Sequence, residues 1–278
     1  MTSTTHDSIL LSCDNVSWSA DDKSILSQIS FAVNRGSFTG IIGPNGAGKS
    51  SLLRCLYRFI KPSHGAITFA QQNIWSFLAK DYAKKVAVVL QHTPQHFQLS
   101  VFDVVHQGLI PHTSLLTSFT ESKGEHTLIE NALEQVGLLD KAKQAFELLS
   151  GGEKQRAMIA KAIVQKPELL IMDEPTSHLD VKYQIQIMEL AKSLGITVIA
   201  SFHDLNLASA MCDQVLVLKQ GKLVADGKPT QVFTESVLSD VFDVCVDVKP
   251  HPQHQKPHVI YYYGYQPTGA GSAGVEHD

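Results

Sequence analysis

The first ninety residues show short runs in which apolar and polar positions follow the pattern of β-strands. The predicted strands lie within 9–33, which a polar turn at 19–24 divides in two, and at 37–42, 66–70 and 85–90. Residues 50–60 carry apolar side chains at helical spacing instead. The pattern therefore predicts a β-rich region with a strand-to-helix connection near residue 45.

The pattern becomes helical between residues 100 and 165 and then alternates. Helices are predicted at 101–109, 126–136 and 141–149, with a polar interruption at 117–125. Strand-like runs return at 169–172, 196–201 and 214–218, and a helix at 181–194 ends before Gly195, its predicted C-cap. This order predicts an α/β sheet that a helical insertion interrupts and that the later strands complete.

Composition narrows the class of protein. The chain has 278 residues, 44% of them hydrophobic, which is ample for one large or two small domains. Its formal charge of −4 is spread along the chain, so no nucleic-acid-binding stripe is expected. The start lacks the pattern of a secretory signal, and no apolar run approaches the ~18 residues of a membrane span. If the protein serves a membrane process, another chain must supply the channel.

Four cysteines lie far apart in the sequence. Cys13, Cys55, Cys212 and Cys245 show no C-x-x-C spacing, and three of them fall within apolar stretches. We expect reduced, mostly packed thiols rather than disulfides or a zinc site.

A glycine-rich segment, GPNGAGKS, connects the strand at 37–42 to the helix that follows. Such a loop points successive backbone N–H groups at phosphate oxygens, and the helix N-terminus adds partial positive charge. Lys49 is predicted to contact the β- and γ-phosphates, and the Ser50 hydroxyl to bind Mg²⁺. The residues predicted to contact nucleotide here are Gly43, Pro44, Asn45, Gly46, Ala47, Gly48, Lys49, Ser50 and Ser51.

The run ELLIMDE at 168–174 predicts a strand that is buried on both faces and ends on two carboxylates. Unpaired buried charge is costly, so this adjacent pair is expected to meet a cation or a water. We interpret Asp173 as the Mg²⁺-directed carboxylate and Glu174 as the base that orients or activates the attacking water. An acidic loop that caps the next helix is the alternative, and it explains an adjacent pair less well.

With four further motifs, the chain resembles the ATP-binding subunits of ABC transporters over about residues 9–244. The motifs are LSGGE at 149–153, a glutamine after a strand (Gln91), SHLD at 177–180 and a histidine after a strand (His203). The fold implied is a P-loop NTPase core sheet with an inserted helical subdomain at about 92–165 and an N-terminal antiparallel β subdomain. The implied ATPase domain covers 1–246, and 247–278 form a C-terminal tail.

The resemblance also implies roles for single residues. Ser150, Gly151 and Gly152 open a helix whose N-terminus faces the γ-phosphate held by a partner subunit, so ATP hydrolysis requires a head-to-tail homodimer. Gln91 is implied to reach the metal and the water, His203 to contact the γ-phosphate, and Asp180 to cross the dimer interface. Trp18 stands where relatives usually have tyrosine and is implied to stack on adenine. Glu153 replaces the commoner glutamine, which should not disturb the helix terminus.

The segment 100–112 and the chain end resemble the group of subunits that import iron-siderophore complexes, haem or vitamin B12. That resemblance implies two copies of this chain on the cytoplasmic face of a bacterial inner membrane. They would bind a polytopic permease that a periplasmic binding protein supplies with substrate.

Other interpretations remain open at this stage. A soluble ABC ATPase of cofactor assembly or ribosomes would share every catalytic motif, whereas a module without turnover conflicts with the intact Glu174. His251, His254 and His258 have spacings that permit a metal site, although a solvated or sheet-edge tail fits their Pro-rich setting better.

Overall fold

The computed structural model describes residues 8–90, 99–113, 123–177 and 179–262. Its strands are β1 (Ile9–Ala20), β2 (Lys23–Asn34), β3 (Phe38–Ile42), β4 (His64–Phe69), β5 (Gln72–Asn73), β6 (Val86–Val89), β7 (Leu169–Met172), β8 (Thr197–Ser201), β9 (Gln214–Lys219), β10 (Lys222–Gly227), β11 (Val246–Pro250) and β12 (Pro257–Tyr261). Its α-helices are α1 (Lys49–Leu56), α2 (Ala79–Lys85), α3 (Val101–His106), α4 (Lys123–Gln135), α5 (Gly151–Gln165), α6 (Val181–Ser193), α7 (Leu205–Met211), α8 (Pro229–Val232) and α9 (Glu235–Phe242).

The central sheet has six strands in the order β10-β9-β3-β8-β7-β6. Its strands are parallel except for β10, which runs antiparallel to β9 at one edge. Along β7, Leu169 and Ile171 pack into one apolar cluster, while Leu170 and Met172 pack into a second cluster on the opposite face. Burial on both faces explains why this strand is uniformly apolar instead of alternating. The predicted α/β class is confirmed.

A second sheet, of order β2-β1-β4-β5, is antiparallel and forms the predicted N-terminal β subdomain. Its inward-facing side chains share an apolar cluster with α1 and with one face of the central sheet. That shared cluster fixes the start of β2 against the loop that precedes α1.

The helical insertion lies between β6 and β7, which are neighbours in the central sheet. Within it, α5 packs against α3 and α4. Close packing requires Gly108 after α3, because a Cβ there would lie 2.2 Å from the carbonyl oxygen of Lys161. In the part of the chain that the structure describes, no helix has the length and apolar character needed to cross a membrane.

The helix predicted at 141–149 is wrong. The segment contains only two short 3-10 turns, one ending at Lys141 and the other at Phe146–Leu148. Its backbone instead pairs with the start of α3: the N–H of Val101 donates to the carbonyl of Gln144 at 2.9 Å, and that of Phe146 donates to Leu99 at 2.9 Å. Apolar residues at helical spacing here cover a neighbouring segment, so tertiary hydrogen bonds replace helical ones.

An antiparallel hairpin of β11 and β12 follows α9 and covers α7. The Asn206 side chain on α7 makes two hydrogen bonds with the backbone of Val259, at 2.7 and 3.1 Å. The buried hydroxyl of Ser209 donates to the carbonyl of Pro257 at 2.5 Å. Val259 belongs to the same apolar cluster as the helical insertion. Residues beyond the predicted domain end at 246 are thus packed on the α/β fold.

Candidate nucleotide and catalytic site

The phosphate loop connects β3 to α1, as its sequence predicts. Gly43 has φ 152°, and a Cβ there would lie 2.2 Å from the carbonyl oxygen of Leu218. Gly48 is the N-cap of α1 in a left-handed conformation, with φ 100°. A side chain at either position would strain or block the loop, so these glycines are needed for its shape.

Lys49 is the first residue of α1 and is buried. Its ammonium donates to the carbonyl oxygens of Gly43 at 2.8 Å and Pro44 at 3.3 Å, so the loop folds around it. Desolvation lowers the pKa of Lys49, and the charges of Glu174 and Asp173 act in the opposite direction. The lysine therefore lies where positive charge would meet nucleotide phosphates.

A cleft of about 520 Å³ opens beside the loop. Its described lining residues are Lys23, Ser24, Ile25, Asn45, Gly46, Gly48, Lys49, Ser50, Ser51, Glu174, Gln220 and Gly221. The β9–β10 turn belongs to it because the N–H of Gly221 donates to the carbonyl of Ala47 at 3.0 Å. Sequence reasoning missed this turn and the start of β2. The Gln220-Gly221 pair, both at positive φ, is a turn signal that could have marked the first of them.

Asp173 immediately follows the buried strand β7 and faces the loop. Its Oδ1 accepts hydrogen bonds from the hydroxyls of Ser50, at 3.0 Å, and Ser201, at 2.9 Å. Asp173 and Ser201 are both buried. Ser201 was not predicted, although a serine at the C-terminal end of the neighbouring strand β8 is a usable signal, because parallel strands end at one edge of the sheet.

The donor set around Asp173 fits Mg²⁺. This ion prefers oxygen ligands and binds through one or two carboxylates or hydroxyls together with substrate phosphates. The Ser50 hydroxyl and the Asp173 carboxylate lie within hydrogen-bonding distance of each other and beside the phosphate loop, and their binding of Mg²⁺ stays a prediction. The third predicted metal-directed residue, Gln91, lies outside the described residues.

Glu174 adopts a backbone conformation that non-glycine residues rarely use, with φ 49°. Its N–H donates to Ser201 Oγ at 2.8 Å, and its Oε2 accepts from Ser177 Oγ at 3.2 Å. Its Oε1 lies 2.6 Å from His203 Nε2, and its side chain is only 13% exposed against 48% for His203. The positive φ of Glu174 costs about 1–3 kcal/mol, and backbone strain of this kind is typical of functional sites. The arrangement holds a carboxylate in the cleft, where it can accept a proton from water.

The second glycine-rich segment begins α5. Ser150 is the N-cap, and it forms a reciprocal capping box with Glu153: the Ser150 N–H donates to Glu153 Oε2 at 2.8 Å, and the Glu153 N–H donates to Ser150 Oγ at 3.4 Å. Ser150 and Gly151 are exposed, so the helix terminus faces outward. Helix α6 backs this terminus, because a Cβ on Gly152 would meet Tyr183 Cγ at 3.2 Å.

Two other residues, Asp180 and Trp18, have predicted contacts with the partner subunit and with adenine. Asp180 is exposed at the N-cap of α6. Trp18 is half-buried on β1, directly opposite Leu26 of β2, and packs against the apolar cluster of the β subdomain. Neither residue is among those that line the cleft in the described parts of the chain. The roles of both therefore stay predictions.

The three histidines of the predicted tail come together at the β11–β12 hairpin. The rings of His251 and His254 stack with centroids 3.9 Å apart, and His258 meets the ring of His251 edge-on at 5.5 Å. Within the described ranges, no group of three or more His, Cys, Asp or Glu side chains is arranged to hold a metal ion. Among the cysteines, Cys13, Cys55 and Cys212 are buried and Cys245 is exposed.

Comparisons with known proteins agree with these motifs. The family model "ABC transporter" matches residues 26–177. The hemin import ATP-binding protein HmuV of Rhodopseudomonas palustris is 36% identical over 253 residues, covering 87% of this chain and 91% of the relative. The ferric enterobactin transport ATP-binding protein FepC of Escherichia coli is 33% identical, covering 85% and 88%.

The fold agrees as well. The structure of cbiO1 from Clostridium perfringens, part of the ABC transporter complex cbiONQ, superposes with a TM-score of 0.73 at 30% identity, covering 84% of this chain and 94% of that one. The chain therefore belongs to the ABC transporter family, and as one of its ATP-binding subunits it binds nucleotide and hydrolyses ATP.

Proposed function

We propose that two copies of this chain bind ATP between them, head to tail, and that hydrolysis energises import of an iron chelate or haem through a separate membrane permease. The observation that carries the dimer is the separation of two phosphate-binding surfaces in one chain. The described residues that line the cleft include none of Ser150, Gly151 and Gly152, whose helix terminus faces outward. A second copy supplies each cleft with the missing terminus.

In each site the loop glycines and Lys49 bind the phosphates, and the partner's Ser150 hydroxyl donates a hydrogen bond to the γ-phosphate. Glu174 accepts a proton from the attacking water, and the water oxygen bonds to the γ-phosphorus. The bond between the γ-phosphorus and the β–γ bridging oxygen breaks, which leaves ADP and phosphate. His203 holds the Glu174 carboxylate and faces the γ-phosphate. Ser50 and Asp173 would hold Mg²⁺, which would supply charge that neutralises the phosphates.

ATP-dependent closure and hydrolysis-dependent opening follow from this sharing, because γ-phosphate binding stabilises only the closed dimer. In the proposal Asp180 crosses the interface near the partner's phosphate loop and Trp18 stacks on adenine. Gln91, which lies outside the described residues, would contact the metal and the water and would communicate nucleotide state to the permease. Two permease copies and a periplasmic binding protein complete an importer, with this chain bound peripherally at the cytoplasmic face of the inner membrane.

The substrate class is supported by the relatives' names, which specify hemin and ferric enterobactin. Both are iron chelates, although their organic parts differ. Vitamin B12 remains a member of the expected class through the resemblance of residues 100–112. The soluble ABC ATPase has no comparable support.

Replacing Ser150 by alanine tests the shared site. The change should lower ATP hydrolysis at least about tenfold while ATP binding to the isolated subunit stays nearly unchanged, because the target phosphate lies on the partner. Ser100→Ala is a matched control, since Ser100 forms the same type of capping box with Asp103 on α3, away from the cleft. Each change removes a cap at a cost of about 1 kcal/mol of stability. Equal activities of the two variants would contradict the shared site.

A transport assay tests the substrate class. A strain that lacks this gene should lose uptake of a ferric siderophore, haem or cobalamin, and the wild-type gene should restore it. The Glu174→Gln gene should not restore uptake, although its product should still co-purify with membranes. Normal uptake of all three substrates, with no membrane association, would support the soluble ATPase instead.

A further inference from the structure

A carboxylate lies at the helix terminus that we have proposed as the second phosphate-binding surface. Glu153, in the first turn of α5, accepts hydrogen bonds through Oε2 from the N–H and the hydroxyl of Ser150, at 2.8 and 2.9 Å. The helix dipole favours negative charge at this position. The same charge repels a phosphate that approaches the terminus from another subunit.

A lysine contacts the other oxygen of the same carboxylate. The Lys141 ammonium donates to Glu153 Oε1, so the two oxygens of Glu153 are divided between Lys141 and Ser150. The pKa of Glu153 falls to about 2, first because of the Lys141 hydrogen bond and then because of those from Ser150. The pair is only partly exposed, at 34% for Lys141 and 18% for Glu153.

The backbone on both sides of Lys141 is anchored. Leu138 is fully buried, and the carbonyl of Ala142 accepts the N–H of Phe102 on α3 at 2.9 Å. The lysine thus reaches α5 from a turn that is fixed in the helical insertion. This anchoring lowers the entropy lost when the ammonium is held at one place.

The Ser150 hydroxyl has one proton, and in this structure it donates that proton to Glu153. A phosphate oxygen carries no proton to offer, so binding it requires the hydroxyl to turn away from Glu153. Once the hydroxyl turns, Glu153 loses a donor and its charge lies close to the phosphate. The Lys141 ammonium on the carboxylate offsets both effects.

We propose that Lys141 is a positioning residue for ATP hydrolysis: it neutralises Glu153, so that the Ser150 hydroxyl can leave that carboxylate and donate to the γ-phosphate held by the partner subunit. The inference rests on the proposed head-to-tail dimer. It pairs Glu153, the acidic fifth residue of the LSGGE motif, with a cation from the same chain.

The test compares ATP hydrolysis by Lys141→Gln, Glu153→Gln and the double variant over a range of ATP concentrations. Lys141→Gln should lower kcat/KM about tenfold, while ATP binding to the isolated subunit stays unchanged. Glu153→Gln in the same chain should restore kcat/KM to within about twofold of the single Glu153→Gln variant, since glutamine keeps the capping box without the charge. Lys141→Arg should retain activity, as should Lys143→Gln, which removes the same charge from an exposed neighbouring position.

Unchanged kcat/KM in Lys141→Gln would overturn the inference, as would a double variant as slow as Lys141→Gln. Recovery in the double variant would also exclude a purely structural role of the ion pair. The double variant lacks the Lys141–Glu153 pair just as Lys141→Gln does, so loss of the pair alone could not explain a slow Lys141→Gln. A different result would contradict the proposed dimer: Ser150→Ala would leave ATP hydrolysis unchanged. If Ser150→Ala is inactive and Lys141→Gln is fully active, only the role of Lys141 is wrong.

Discussion

Replacing Glu174 by glutamine should lower ATP hydrolysis by about 10²–10⁴-fold and leave a stable ATP-bound dimer. The amide cannot accept the proton of the attacking water, yet it keeps the size of the carboxylate and can still bond to Ser177 and His203. Closure depends on ATP binding, which the change leaves intact. Single-turnover hydrolysis and size-exclusion chromatography with ATP would measure the two effects.

Glu168→Gln is the matched control. Glu168 immediately precedes the same strand, β7, and pairs with Arg35 at 2.8 Å and Lys85 at 2.7 Å, well away from the phosphate loop. Its loss should affect stability by at most about 1 kcal/mol, because both pairs are exposed to solvent. Normal turnover by Glu174→Gln would show that Glu174 does not accept the proton of the attacking water.

Replacing Lys49 by alanine should weaken ATP binding by about 10–100-fold, because each charge-assisted hydrogen bond to a phosphate is worth about 1.5–3 kcal/mol. The change also leaves the Gly43 and Pro44 carbonyls without their donor, so the loop itself should loosen. Titration with a fluorescent ATP analogue measures the affinity. Lys23→Ala, at the edge of the same cleft, controls for the loss of a positive charge, and a similar loss of affinity in Lys23→Ala would contradict the special position of Lys49.

The Lys49→Ala and Ser150→Ala variants can also be combined in trans. In a mixed dimer one site carries both defects and the other carries neither, because each site takes its phosphate loop from one chain and its LSGGE motif from the other. An equal mixture should therefore recover roughly a quarter of the wild-type rate: about half of the dimers are mixed, and each has one intact site of two. A mixture as inactive as its two components would count against sites shared between chains.

The core of the fold follows from local pattern where burial is uniform. Strand β7 was predicted at its observed bounds because both of its faces are covered, and the polar pair Asp173-Glu174 after it marks the edge of the sheet. The phosphate loop could also be predicted from the sequence, since its glycines adopt backbone conformations that other residues rarely allow. In such segments the local sequence alone is enough to predict the structure.

Other features depend on partners that are distant in the chain. The segment 141–149 has helical spacing, yet its backbone pairs with residues 99–101, which no local pattern reveals. Ser201 acquires its place only because β8 lies next to β7, which brings its hydroxyl to Asp173 and to the Glu174 N–H. The β11–β12 hairpin escaped prediction because its Pro-rich, His-rich sequence resembles a solvated tail.

That hairpin affects how the protein can be shortened or extended. Helix α7 begins two residues after His203, and the hairpin is bonded to it at Asn206, Ser209 and the carbonyl of Ala210. A protein truncated at 246, where the predicted ATPase domain ends, would leave the buried Ser209 hydroxyl without its acceptor and expose the apolar surface under Val259. A tag attached directly after Tyr261 would be joined to a strand that packs against α7, the helix that follows His203. We therefore expect the shortest intact ATPase unit to extend at least to Tyr261.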